Sequence, residues 1–239
     1  MRKHLTTLFA LLALVALIGD IVLYRTAKHF YTREQIVRLE PTGTPSLAET
    51  GPRTLPRVLM LGDSRIWQWK VFATDRVHAF NAGVGNETTA QIGLRAKEAI
   101  ERVKPSVIVI EAGINDLKTI PLLPDLQKKI EDDCVDHLMG LVKLGRASGA
   151  AVVVMSVLPA GKVEWARRPV WSEAVAEAVQ TVNRRLEERC RGDASVRFLD
   201  LSSEVQVGRD YVDTLHFNAG FYERISPTVV KAIDEVQGK

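Results

Sequence analysis

From Arg57 onward, short β-branched runs alternate with longer segments of helical period, and this alternation limits the chain to few architectures. Val58–Leu61 (Val-Leu-Met-Leu) closes on Gly62, and Ser106–Glu111, Ala150–Val157 and Val196–Leu201 are further apolar runs rich in Val and Ile. Such near-continuous apolar runs are the signature of strands buried on both faces. Val77–Asn81 is a weaker strand candidate. Between and after them, Thr88–Val103, Pro124–Ser148, Trp171–Cys190 and Ala219–Val236 repeat apolar residues mainly at helical spacing, as in Ile92, Ala99, Ile100 and Val103. Strands linked through helices close as right-handed crossovers onto a parallel sheet. The expected fold is α/β, a three-layer α/β/α sandwich around a roughly five-stranded, flavodoxin-like parallel sheet. In such folds ligands lie beyond the carboxyl ends of the strands, so reactive residues are sought just after each strand.

The N-terminus follows different rules. Met1-Arg-Lys-His4 is basic, and Leu5–Tyr24 is apolar apart from Asp20. That stretch has about the 20 residues a helix needs to span a bilayer. No Ala-x-Ala pattern suited to cleavage follows it, and no lipobox cysteine is present, so residues 1–24 are expected to form an uncleaved anchor, with residues 5–24 in the membrane. Arg2 and Lys3 oppose Arg25, Lys28, Arg33 and Arg38 on the other flank, so the charge count does not set the orientation. An extracytoplasmic domain is expected, because a short N-terminal anchor commonly serves to send a domain across. Residues 25–56, with Pro41, Pro45, Gly51 and Pro52, read as a membrane-proximal segment and linker, and residues 57–239 as the folded domain.

The formal net charge of +3 is concentrated in the appendage: residues 1–57 carry eight Lys/Arg against four Asp/Glu, and the rest carries 24 against 25. A nearly neutral domain offers no basic face for nucleic acid, and that class of partner is excluded. Cys134 and Cys190 lie in separate helical segments without CxxC or HExxH spacing, so no metal site is expected and two free thiols are the simpler reading.

Four sets of polar residues stand at or near the carboxyl edge. After the first strand comes Gly62-Asp63-Ser64-Arg65, which by itself is a common turn and helix cap. After the second comes Asn81-Ala-Gly83-Val-Gly85-Asn86, a loop able to bring backbone close to a ligand. After the third comes Gly113-Ile-Asn115-Asp116, where an Asn side chain can donate into the crevice and Gly113 lets the chain pass close by. Before the last helix comes Asp213-Thr-Leu-His216, whose spacing can bring a carboxylate to one ring nitrogen and leave the other free. Asp75-Arg-Val-His78 has the same spacing but precedes the second loop, and His78 reads as structural or surface.

The order Ser, Gly, Asn, Asp/His, each beyond a different strand or in the last loop, resembles the SGNH (GDSL-type) serine hydrolase family over nearly all of residues 57–239. That resemblance implies a serine esterase with Ser64 as nucleophile, His216 as general base and Asp213 orienting it. It further implies an oxyanion hole formed by the Ser64 N–H, the Gly85/Asn86 loop and Asn115, with no metal or organic cofactor. Asp63, Gly113 and Asp116 are expected to order the loops. Two positions depart from the family pattern. Arg65 stands where leucine is frequent in the family, but many members lack that leucine, so little of the resemblance hangs on it. Asn86 stands where the oxyanion glycine is usual; it keeps a backbone N–H and tolerates left-handed φ, and Gly85 is the alternative donor.

Trp67 and Trp69, spaced by two, cannot share a helix face; either one of them lines an acyl or sugar pocket, or they pack beneath the sheet. Gly161–Trp171, after the fourth strand, is either a substrate-contact segment or a solvated loop. The implied substrate is a small-molecule, glycan or lipid ester: an acetylated glycan, a short-chain acyl ester or a lysophospholipid. An envelope glycan O-acyltransferase with the same residues and a non-catalytic tethered binding domain are the rival readings. A nucleotide- or flavin-binding flavodoxin-like domain ranks last, for want of a Gly-rich phosphate loop after the first strand.

Overall fold

Apolar strands buried on both faces require helices above and below them, and the structure provides both layers. The computed structural model describes residues 2–39, 41–43, 45–70, 72 and 75–238. They form two units, Met1–Pro41 and Thr42–Lys239.

The first unit is one helix, α1 (Arg2–Leu39). Its span Thr6–Val37 has a window of mean hydropathy 2.4, none of it buried, and Leu8, Phe9, Leu17 and Ile21 are among its exposed side chains. At 1.5 Å rise per residue the helix is longer than the ~30 Å hydrocarbon core of a bilayer, so length and composition suffice for a crossing. Residues 25–39, expected to be a membrane-proximal segment, continue that helix without a break.

The second unit is built on a sheet of six strands: β1 (Ala48–Thr50), β2 (Arg57–Gly62), β3 (His78–Gly83), β4 (Val107–Glu111), β5 (Ala151–Met155) and β6 (Val196–Leu199), in the order β1-β3-β2-β4-β5-β6. From β2 to β6 all pairings are parallel, with Leu61 opposite Ala82 on one side and Ile110 on the other. Alternation of side chains across the pleat then divides the core in two. Leu59, Leu61, Ile108, Ile110, Val152 and Val154 pack in one cluster with residues of α3 (Thr89–Val103), α5 (Gln127–Ala147) and α6 (Ala174–Cys190). Val58, Met60, Val107, Val109, Val153 and Met155 pack in the other with α7 (Ala219–Val236). Each fully buried Val, Leu or Ile contributes about 1.5–3 kcal/mol. Cys134 and Cys190 are free, buried thiols, and burial raises the Cys190 pKa to about 11.

The five parallel strands match the sequence expectation, and β1 is an addition drawn from the segment read as linker. It runs antiparallel along β3, with Ala48 opposite Asn81. Three residues are too few to display a period, so their pairing depends on the open edge of β3, which they cover. Thr50 Oγ1 donates to the Phe72 carbonyl, and Glu49 Oε2 lies 3.2 Å from His78 Nε2. His78 is therefore a buried structural residue of the sheet edge.

Strand β2 has β3 on one side and β4 on the other, so the chain leaves it and its neighbour in opposite directions. A crevice opens at the carboxyl end of such a strand. Gly62-Asp63-Ser64 stands there.

Candidate active site

The serine is set by the turn that ends β2. Asp63 caps the short helix α2 (Ser64–Gln68), its Oδ1 accepting the Arg65 N–H at 2.9 Å. Ser64 is the first residue of α2, so its own N–H has no intrahelical acceptor. Across the crevice, the turn before α7 folds onto its own carboxylate. Asp213 Oδ1 accepts the N–H groups of Leu215 at 2.7 Å and His216 at 2.9 Å, and Oδ2 lies 2.7 Å from His216 Nδ1. With Nδ1 donating to Asp213, Nε2 is left to accept from Ser64 Oγ, 3.0 Å away. Burial opposes the Asp213 charge, but the bonds from the His216 ring and from the two backbone N–H groups outweigh it and hold the carboxyl below its ordinary range. Ser64, His216 and Asp213 thus form one continuous chain of hydrogen bonds reaching from 152 residues apart in sequence.

The opposite side of Ser64 is made by the loops after β3 and β4. Asn86 has φ +66°, the left-handed conformation expected of it, whereas Gly85 has no positive φ. Among the described residues, neither Gly85 nor Asn86 donates its N–H to a protein acceptor. Glu87 anchors this loop from beneath: it is buried, pairs with Arg95 and accepts the Gly43 N–H. Asn115, on the short helix α4 (Ile114–Leu117), is also buried. Its Nδ2 donates to the Glu87 carbonyl at 2.9 Å and, at 3.3 Å, to Asp63 Oδ2. Gly113 has φ +124°, and a Cβ there would lie 2.9 Å from Val157, so only glycine lets α4 start at that point. Asp116 accepts the Thr89 hydroxyl at 2.7 Å and the Thr89 N–H at 3.0 Å, which ties α4 to the start of α3. Burial raises the pKa of Asp63 and of Asp116.

Arg65, which carried little weight for the family resemblance, has a structural role that the sequence reading did not assign. Its side chain is fully buried beneath the crevice, where a leucine could make none of its bonds. Nε donates to the Leu215 carbonyl at 3.0 Å, Nη1 to the Leu158 carbonyl at 2.7 Å and Nη2 to the Pro159 carbonyl at 3.1 Å. Nη1 also lies 3.4 Å from Glu111 Oε1, and the guanidinium stands over the Phe217 ring. One residue after the serine, a single cation therefore holds the histidine turn and the segment after β5 against the end of β2. Burial, with Asp63 nearby, raises the Glu111 carboxyl to about 8, against the pull of Arg65. A signal was present in the sequence: Glu111 ends an otherwise apolar strand directly opposite Gly62, and a buried charge at that register needs a partner from the neighbouring strand's end.

The two tryptophans differ in their surroundings. Trp69 is buried against Phe72 and Tyr222, with Nε1 donating to Ser226, whereas Trp67 is half exposed with Lys70 over its ring. The segment Gly161–Trp171 is latched to the histidine turn: Thr214 accepts the Gly161 N–H through its carbonyl and the Glu164 N–H through its hydroxyl. Trp165, next to that latch, is 82% exposed. A pocket of roughly 430 Å³ has walls that include Gln68, Lys70, Val212, Phe217 and Tyr222; neither Ser64 nor His216 is among its lining residues.

A parallel α/β sheet with a Ser-His-Asp chain at its switch point defines a serine-hydrolase type of protein, and comparison with known proteins makes the family definite. Residues 61–224 match the GDSL-like lipase/acylhydrolase family model, and the chain belongs to that family. The fold is shared with a GDSL-like lipase from Bacteroides thetaiotaomicron (19% identity, TM-score 0.62, 84% of this chain and 96% of that one). It is shared also with the aryl esterase of M. smegmatis (16%, 0.60, 76% and 99%) and a carbohydrate acetylesterase from Sinorhizobium meliloti (15%, 0.59, 74% and 98%). Comparison with curated proteins finds no match. The protein is an ester-hydrolysing enzyme of the acylhydrolase type.

Proposed function

We propose that the protein is a membrane-anchored serine esterase that cleaves carboxylic esters through an acyl-enzyme on Ser64. The observation that carries this reading is the hydrogen-bonded series Ser64 Oγ, His216 Nε2, His216 Nδ1, Asp213 Oδ2, with spacings of 3.0 Å and 2.7 Å. His216 Nε2 takes the hydroxyl proton as Oγ attacks the ester carbonyl, and Asp213 stabilises the imidazolium that results. The tetrahedral oxyanion is met by the N–H groups of Ser64 and Asn86 and by Asn115 Nδ2, which exchanges its long 3.3 Å bond to Asp63 for one to the oxyanion. The imidazolium then returns its proton to the leaving alkoxide, and a water deprotonated by His216 releases the acid and restores Ser64.

The apolar walls of the pocket lined by Val212, Phe217 and Tyr222, residues flanking His216 in the chain, support a substrate with a short acyl or other small apolar group. The exposed Trp165 beside the latch supports a sugar or lipid portion lying over the rim, as in an acetylated envelope glycan or a lysophospholipid. Helix α1 supports retention at a membrane; the extracytoplasmic side is favoured because a short N-terminal anchor commonly serves to send a domain across. In detergent, the full chain should hydrolyse p-nitrophenyl acetate and butyrate, and Ser64→Ala should not. Equal turnover by both proteins would remove Ser64 from the reaction.

A further inference from the structure

The residue that ends α4 is used by none of the chemistry above. Lys118 is half buried, and its Nζ lies 2.6 Å from Asn115 Oδ1 and 3.0 Å from Asn86 Oδ1. Those are the two residues on which the oxyanion side rests, and they come from different loops, one after β3 and one after β4. Each contact has a geometric consequence. Asn86 is held in the left-handed region, which a non-glycine residue adopts only at some cost, and a charge-assisted bond to its side chain keeps it there. Asn115 can present its amide in two ways, related by exchange of O and N. With Oδ1 turned to the ammonium, Nδ2 must face the Glu87 carbonyl and Asp63, the floor beside Ser64. The reverse orientation would set Oδ1 against a carbonyl and a carboxylate, acceptor against acceptor, and leave the ammonium facing N–H groups.

We propose that Lys118 is a positioning residue of the oxyanion side, an ammonium that clamps Asn86 and Asn115 into one donor surface, with the Asn86 side chain as its second anchor. This rests on the reading of the Ser64 site as an esterase. It also accounts for the departure at position 86: a glycine there could adopt the same φ but would offer the clamp nothing to hold. The charged groups around Nζ come from every flanking element: Asp63 at the end of β2, Arg65 at the head of α2, Asp116 on α4 itself and Arg167 in the segment latched to Thr214. Burial lowers the Lys118 pKa below the ordinary lysine value; Arg167 and Arg65 push the same way, and Asp63 and Asp116 oppose them. On losing its proton the amine keeps two N–H groups but loses the charge that makes both bonds strong, so turnover should fall on the alkaline side through Lys118 itself.

The test uses the full chain in detergent with p-nitrophenyl butyrate, following kcat, KM, melting temperature and the pH profile corrected for spontaneous hydrolysis. K118M should lower kcat about ten- to a hundredfold with little change in KM or melting. K118R, charged at every accessible pH, should recover part of kcat and lose the alkaline limb. In an N86G background, K118M should cost less than in the wild type, because one anchor is already gone. A wild-type kcat in K118M, or an unchanged alkaline limb in K118R, would overturn the clamp while leaving the esterase reading intact. If K118M melts early, the K118R profile decides alone. Absence of Ser64-dependent turnover in the wild type would overturn the esterase reading, and the clamp with it.

Discussion

The two sides of Ser64 are built in opposite ways. On the histidine side, each polar atom that the proposed reaction needs is aligned in the resting protein: Asp213 holds His216 by side chain and backbone, and Nε2 already meets Oγ. On the proposed oxyanion side, the side-chain donor Asn115 is occupied internally, by Glu87 and Asp63, while the backbone N–H groups of Ser64 and of the Asn86 loop have no protein acceptor among the described residues. The difference follows from when charge appears. The serine–histidine proton path exists before substrate binds, so it is satisfied by its own members. The oxyanion forms only in the transition state, and buried donors awaiting it need a provisional partner, because an unsatisfied buried donor costs about 1–3 kcal/mol. The same logic places a rigid polar frame beneath both sides, Arg65 with Glu111 under the histidine turn and Lys118 at the mouth of the oxyanion loops.

Substitutions on the two sides should therefore differ in size. The largest loss short of removing the nucleophile is expected from D213N, which keeps the shape but disfavours the tautomer with Nε2 as acceptor; kcat should fall about ten-thousandfold. A loss of less than tenfold would show that Asp213 does not orient His216. N115A should cost about a hundred- to a thousandfold in kcat, since it removes one donor among three. An N115A rate as low as that of D213N would erase the contrast between the sides. R65M should act chiefly on stability, lowering it by about 1–3 kcal/mol or more, because it leaves three buried carbonyls without their donor; denaturant unfolding reads this directly, and a loss below about 1 kcal/mol would contradict the frame.

The smallest effect concerns pH and stability. Burial raises the Glu111 carboxyl from 4.5 to about 8, so the folded chain holds that proton more tightly than the unfolded one. The stability this confers is complete below the unfolded value and is lost as pH rises through the folded one. Melting temperature should accordingly decline between pH 4.5 and about 8, and E111Q should flatten part of that decline. The same slope in E111Q would mean that Glu111 is ionised throughout.

How much of this was legible in the chain depends on the reach of each signal. The β-branched runs and the helical periods mark five parallel strands and the long helices closely; Ala219–Val236 is helical over those same residues. The candidate site residues stand beyond strand ends or in the last loop, and it was the resemblance of their order to the SGNH family, not any motif alone, that named Ser64, Asn115 and the Asp213–His216 turn. The left-handed backbone of Asn86 was likewise foreseeable from its place in a glycine-rich loop. Strand β1 was hidden because three residues carry no period and its pairing is decided by the edge of β3. Lys118 was hidden for another reason, and Arg65 left only one mark, Glu111 at the end of an apolar strand: the other partners are backbone carbonyls and amide oxygens brought by other loops, and such acceptors leave no trace in residue type.

The central claim, that Ser64 carries the acyl group, is tested most directly by reacting the full chain with a fluorophosphonate and locating the adduct by peptide mass spectrometry. The expected result is a single phosphonylated peptide containing Ser64, with ester turnover lost in proportion to labelling and both absent in Ser64→Ala. Turnover that survives complete labelling of Ser64, or an adduct on another residue with Ser64 unmodified, would contradict it.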